Sequence, residues 1–237
     1  MAPKIPAGFR AAAVLVKPVL LATTKRHWSG AENLPSDRGF IAVSNHVTYA
    51  DPFTLAHFLY DHGYAPHFLA KASLFDLPVA GKALAGLDQV PVQRGSARAR
   101  EAVDAAVKLL SRGDSIAVFP EGTLTRDPDM WPMLARTGAA RMALEHDVPV
   151  IPIAQWGAQE LLAPYSKKVD LFPRKTVTVK AGPAVDLAEF RGRDLDIGVL
   201  RGATDRIMDT LTGMLEQIRG EAAPDKPWDM RREGGGR

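Results

Sequence analysis

His46 and Asp51 stand five residues apart in the stretch Ser44-Asn45-His46-Val47-Thr48-Tyr49-Ala50-Asp51-Pro52. A histidine titrates near neutral pH and is the side chain most used as a base. A carboxylate bonded to one ring nitrogen fixes the tautomer and stabilises the imidazolium formed when the other nitrogen takes a proton. Asp51-Pro52 also suits a helix start, with aspartate as the cap and proline in the first turn. The pair therefore reads as a base and its partner, or as a loop histidine beside an independent helix cap. Ser44 and Thr48 are conceivable nucleophiles, but the Gly-x-Ser-x-Gly elbow that would activate a serine is missing from the chain.

Further polar groups lie downstream. In Phe119-Pro120-Glu121-Gly122-Thr123-Leu124-Thr125-Arg126, Pro120 and Gly122 shape a tight turn, so a ligand can approach the backbone between Glu121 and Arg126. Arg94 follows the apolar run Val90-Pro91-Val92 and offers a guanidinium fork for phosphate oxygens or for a protein carboxylate. Lys71, at the end of His67-Phe68-Leu69-Ala70-Lys71, is a second phosphate contact or a solvated lysine. Val148-Pro149-Val150-Ile151-Pro152-Ile153 has no reactive group and reads as a buried strand bracketed by prolines, structural or lining an apolar tunnel. His57, His62 and His67 lack the His-Glu-x-x-His spacing of a metal site and read as surface or helix-end residues, so no metal is expected.

Positioning these groups takes a sheet. Strands are expected at Phe40–Ser44, His67–Ala70, Gln89–Val92, Ser115–Phe119, Val150–Ala154 and Thr176–Lys180. Helices are expected at 52–62, 78–86, 96–112, 137–146 and 196–219, the last capped by Asp196 and stopped by Gly220. This alternation predicts an α/β fold, a single domain with a mixed, largely parallel sheet flanked by helices. Ligands gather at the carboxyl ends of such strands, which brings loops 44–51, 93–96 and 119–127 together. The domain spans 27–220, and 221–237 reads as a disordered tail.

With 237 residues, 46% hydrophobic and 24% charged, the chain is long and apolar enough for one sizeable core. The net charge of +3 is too mild to imply nucleic acid, but residues 1–30 hold Lys4, Arg10, Lys17, Lys25 and Arg26 and no acidic residue. The absence of cysteine excludes disulfides, thiolate zinc sites and a cysteine nucleophile. Ile5, Phe9, Ala12, Ala13, Val16, Val19 and Leu20 make an apolar helical stripe, while Arg10, Lys17 and Pro18 break the run a spanning helix needs. The stretch also lacks the pattern of a secretory signal. Residues 1–26 therefore read as an amphipathic helix lying in the membrane interface, against the alternative of a helix packed on the protein's own core.

Four blocks in order, Asn45–Asp51, Val90–Arg94, Phe119–Thr123 and Val148–Pro152, resemble those of the glycerolipid acyltransferase family, specifically the 1-acyl-glycerol-3-phosphate acyltransferases. The resemblance covers about residues 28–182. It implies transfer of an acyl group from acyl-coenzyme A or acyl carrier protein to the free hydroxyl of 1-acyl-glycerol-3-phosphate, giving phosphatidic acid in phospholipid synthesis. It implies His46 as base, oriented by Asp51, with Arg94, Glu121, Gly122, Thr123, Arg126 and Lys71 holding the phosphate. Asn45, Pro120, Pro149 and Pro152 would be supporting residues. Relatives commonly carry arginine directly after the threonine of the third block; here Leu124 stands there and Arg126 follows two places on. The implied setting is the cytoplasmic face of the cell membrane, peripheral or monotopic, with no cofactor beyond the acyl donor and no nucleic acid. Glycerol-3-phosphate, another lysophospholipid or a glycolipid precursor are alternative acceptors, and a non-catalytic lipid-binding protein is an alternative from a different class.

Overall fold

The computed structural model describes residues 5–93 and 99–230. Helix α1 (Ala7–Thr23) runs directly into strand β1 (Thr24–Ser29). There follow β2 (Phe40–Ser44), α2 (Asp51–Asp61), β3 (Pro66–Lys71), α3 (Ala80–Gly86), β4 (Val90–Val92), α4 (Ala99–Leu110) and β5 (Ser115–Val118). The chain continues through α5 (Gly138–Glu145), β6 (Val150–Trp156), β7 (Lys175–Ala181) and α6 (Ile197–Arg219). The strands join in one sheet ordered β1-β7-β6-β2-β5-β3-β4. Strands β2 to β6 run parallel to one another, while β7 is antiparallel to β6 and parallel to β1. The sheet is thus mixed and largely parallel, as expected.

Central strand β2 is buried at every position, which is why it reads as a continuous apolar run. Successive side chains point to opposite faces. Phe40 and Ala42 pack with Leu55, Phe58 and Leu59 of α2, while Ile41 and Val43 join the cluster built from α4, α5 and α6. Helix α6 begins where Asp196 accepts the Val199 amide hydrogen at 2.8 Å and ends where Gly220 adopts a left-handed conformation, φ 69°.

Four features differ from the sequence reading. Strand β1 was not expected: it is a sheet edge whose Lys25, Arg26 and His27 face solvent, so Thr-Lys-Arg-His-Trp-Ser shows no apolar run. Residues 221–230 are not a loose tail, because Trp228 pairs with Met133 and its carbonyl accepts the Leu134 amide hydrogen at 3.0 Å. One half-buried indole outweighs the polar composition around it; residues 231–237 lie outside the described residues. Of the three histidines, only His62 is exposed. His57 is buried edge-on against Trp28 at 4.9 Å and His67 against Phe9 at 5.0 Å, and burial pulls the His57 pKa down to about 4.

The fourth difference is α1. Its Phe9, Ala12, Ala13 and Leu20 turn inward to α2, β3 and the end of α3, where they line a groove of about 240 Å³ with Pro52, Phe53 and Phe68. Lys17, expected on the polar face, is bonded to Asp61 of α2 at 2.6 Å. Ala11, Val14, Leu15, Pro18, Val19 and Ala22 form the outer stripe at helical spacing, exposed and wholly apolar. No helix of the described residues is long and apolar enough to cross a membrane.

Candidate active site

The carboxyl ends of β2 and β5 are adjacent, so the loops leaving them meet. Past the last backbone pair of β2 and β6, Ser44 with Ile153, the side-chain amide of Asn45 continues the ladder. Its nitrogen donates to the Gln155 carbonyl and its oxygen accepts the Gln155 amide hydrogen, each at 2.9 Å. The side chain thereby stands in for a peptide group, and the main chain is free to turn away one residue early. Gln155 is itself tied down: its Nε2 donates to Ser44 Oγ at 3.1 Å, and its Oε1 accepts from Thr54 Oγ1 at 2.6 Å.

His46 follows that turn. Its Nδ1 lies 3.0 Å from Oδ2 of Asp51 at the start of α2. The same oxygen accepts the amide hydrogens of Val47 at 2.6 Å and Thr48 at 2.8 Å. Asp51 therefore does both things its position allows, holding the chain at the mouth of the helix and orienting the imidazole. Burial pushes the Asp51 carboxyl above its usual range, opposed by the bonds from His46, Thr48 and Val47. With Nδ1 as the proton donor to the carboxylate, Nε2 carries the lone pair, and it has no hydrogen bond to any described residue. The ring lies flat on Phe119, centroids 4.0 Å apart and planes 17° from parallel. Phe119 in turn stacks on Phe68, 6.0 Å away, which lines the groove under α1.

The turn after β5 holds the histidine's main chain on both sides. Glu121 Oε1 accepts the His46 amide hydrogen at 3.2 Å, and the Thr125 amide donates to the His46 carbonyl at 2.7 Å. The other Glu121 oxygen accepts from the Met133 amide at 2.9 Å. This corrects the expected phosphate contact: Glu121 is buried with both oxygens given to main-chain donors, so it braces the site from beneath. Burial pushes its pKa up to about 8, against those same two amide bonds. Gly122, at φ 75°, closes a turn by donating its amide hydrogen to the Phe119 carbonyl at 2.9 Å, leaving Gly122 and Thr123 half-buried at its tip. Leu124 is buried, so the position after the threonine faces the interior, and Arg126 is the exposed cation of this loop.

The remaining expected residues fall in separate places. Lys71 is exposed at the end of β3, in register with Val92, and Arg94 lies outside the described residues. Pro120 and Pro152 are buried. Pro149 and Pro152 serve the sheet: their carbonyls accept from the Ile41 amide at 2.9 Å and the Gly182 amide at 2.8 Å. Residues 148–152 do not line the apolar groove. Neither conceivable nucleophile is available, since Ser44 and Thr48 are fully buried and the Thr48 hydroxyl is donated to the Leu162 carbonyl.

Sequence reasoning missed Gln155 and Tyr165. Gln155 interrupts the buried run Val150-Ile151-Pro152-Ile153-Ala154, and a polar residue there is the signal that a partner must exist. Tyr165, whose hydroxyl donates to the Leu124 carbonyl at 2.9 Å, sits in a loop with no motif to mark it.

Comparisons with known proteins show the family and the fold. The 1-acyl-sn-glycerol-3-phosphate acyltransferase of Borreliella burgdorferi is 28% identical over 195 residues, covering 81% of this chain and 72% of that protein. The Bacillus subtilis enzyme of the same name is 29% identical over 159 residues, 67% of this chain and 73% of the relative. A chloroplastic 1-acyl-sn-glycerol-3-phosphate acyltransferase of Brassica napus is 33% identical over 135 residues, and this chain spans only 38% of its length. The crystal structure of the 1-acyl-sn-glycerophosphate acyltransferase of Thermotoga maritima shares the fold, with a TM-score of 0.63 at 23% identity over 91% of this chain and 84% of that one. A family model described as Acyltransferase matches residues 25–156, from β1 through the end of β6, which takes in His46, Asp51, the Glu121 turn and Gln155; the chain belongs to the acyltransferase family.

Proposed function

We propose that this protein transfers a fatty acyl group from an acyl thioester, acyl-coenzyme A or acyl carrier protein, to the free hydroxyl of 1-acyl-glycerol-3-phosphate, giving phosphatidic acid. The observation that carries the reading is the Nε2 of His46, left without a hydrogen bond among the described residues, on a ring fixed by Asp51 and by Phe119, which stacks in turn on the groove-lining Phe68. The acceptor hydroxyl loses its proton to Nε2 as its oxygen bonds the thioester carbon. The tetrahedral intermediate then expels the thiolate, which takes the proton back from the imidazolium. Asp51 stabilises the cationic ring between those steps, and a positioned base of this kind contributes about 10²–10⁴-fold. No acyl-enzyme is needed, and the burial of Ser44 and Thr48 supports direct transfer.

The transferred chain lies in the groove between α1 and α2, reached from His46 across Phe119 and Phe68. The acceptor phosphate meets the tip of the Gly122–Thr123 turn and the Arg126 guanidinium, with Lys71 and Arg94 as further cations. The outward apolar stripe of α1 rests in the cytoplasmic leaflet that holds the lipid acceptor. Arg126→Ala tests the phosphate contact: KM for 1-acyl-glycerol-3-phosphate rises about tenfold while KM for the acyl donor stays put. An unchanged acceptor KM removes Arg126 from the site.

A further inference from the structure

We propose that residues 165–174 form a second lipid-docking element, which seats the active-site face on an anionic bilayer. Val169, Leu171 and Phe172 are exposed to 55%, 38% and 66%, beside Tyr165, whose ring is half in solvent while its hydroxyl is held by the protein. Exposed Lys167, Lys168 and Arg174 flank them. The only acid in the loop, Asp170, is paired with Lys175 at 2.9 Å. Apolar tips set among exposed cations fit a surface that is anionic outside and hydrocarbon beneath. They suit an acidic protein less well, since that would cover Phe172 with polar groups.

Position supports the same occupant. Trp156 at the end of β6 pairs with Thr178, so the start of β7 projects past the carboxyl ends of the parallel strands, the edge that carries His46. Lys175 pairs there with Thr24, and Arg174 donates to the Thr24 carbonyl at 2.6 Å. The loop therefore adjoins the last turn of α1, and the two apolar surfaces flank one edge of the molecule. The loop is also fastened to both segments that hold the histidine. The Thr48 hydroxyl donates to the Leu162 carbonyl, and the Tyr165 hydroxyl donates to the carbonyls of Leu124 at 2.9 Å and Thr125 at 3.3 Å. Seating the loop in a leaflet thus sets the height of His46 above it.

The inference takes its purpose from the proposed lipid substrate, but its test reads docking without turnover, so the two stand or fall separately. The chain has no native cysteine, so Phe172→Cys takes a single environment-sensitive fluorophore. Ser111→Cys, exposed beyond α4 near the start of β5, is the control. With vesicles of phosphatidylcholine and phosphatidylglycerol at about 3:1 and no acyl donor, the probe at 172 shifts to the blue and is quenched by lipid carrying a spin label, while the probe at 111 stays silent. Reversing charge with Lys167→Glu and Lys168→Glu together raises the lipid concentration for half-binding by about tenfold or more, with circular dichroism unchanged. The proposal is overturned if the protein fails to bind these vesicles, if the probe at 172 stays in water on vesicles that do bind it, or if charge reversal leaves half-binding where it was.

Discussion

The side-chain amide of Asn45 grips both main-chain polar groups of Gln155, donating and accepting at 2.9 Å, where the β2 and β6 backbones cease to pair. This contact lets the chain leave the sheet at Asn45 while staying pinned to it, and it puts His46 at the edge instead of in the ladder. Asn45→Ala leaves a buried N–H and a buried C=O of Gln155 without partners. The expected cost is about 2 kcal/mol or more, read as a lower midpoint in urea, with kcat falling because the histidine loop is loosened. A variant as stable as the parent contradicts the role assigned to the pair.

Asp51 carries three donors on one oxygen, and its charge faces the imidazole. Asp51→Asn keeps the size but removes the charge that stabilises the imidazolium. It is expected to lower kcat about 10²–10⁴-fold with little change in acceptor KM. Transfer within threefold of the parent would show that the aspartate only holds the helix mouth.

Glu121 gives the protein a pH signature. Its carboxyl titrates near 4.5 unfolded and at about 8 folded, so between those values the folded state holds more protons than the unfolded one. Stability is then full below the unfolded pKa and falls as pH rises toward 8, by at most about 1.4 kcal/mol per pH unit. His57 has the opposite sign, because its lowered pKa of about 4 costs stability only as pH drops below 6.5. From pH 6.5 to 8 the glutamate is therefore the larger of the two influences. Glu121→Gln should flatten the fall in melting temperature over that range, and should lower stability throughout, since an amide cannot accept from both His46 and Met133. A variant with the parent's slope contradicts the assignment.

The groove under α1 should behave as a ruler. Ala13 lines it, and Ala13→Trp fills space that a long chain would occupy. Transfer of palmitoyl groups should fall about tenfold or more relative to octanoyl groups, measured as a ratio of kcat/KM values. An unchanged ratio places the acyl chain elsewhere.

Much of this was legible in the sequence, for reasons that differ by element. Strands β2, β5 and β6 are buried on both faces and so appear as unbroken apolar runs. Asp196 and Gly220 announced the ends of α6 because capping is a local interaction. His46 and Asp51 were legible because their partnership spans five residues of one loop. Contacts between distant segments leave no such trace: nothing near Glu121 says that its oxygens serve His46 and Met133, so its polarity was read as ligand-facing. Strand β1 escaped because an edge strand needs few apolar residues, and α1 misled because Lys17 turns inward to Asp61. In both cases the deciding neighbour lies far along the chain.

The central claim is that Nε2 of His46 takes the proton of a lipid hydroxyl as a thioester is broken. Purified protein mixed with palmitoyl-coenzyme A and 1-acyl-glycerol-3-phosphate should release free thiol, detectable by a colorimetric reagent against no thiol background from the cysteine-free chain. The release should depend on the acceptor, yield phosphatidic acid and fall about 10²–10⁴-fold in His46→Ala. Release that ignores the acceptor, or that survives intact in His46→Ala, contradicts the account.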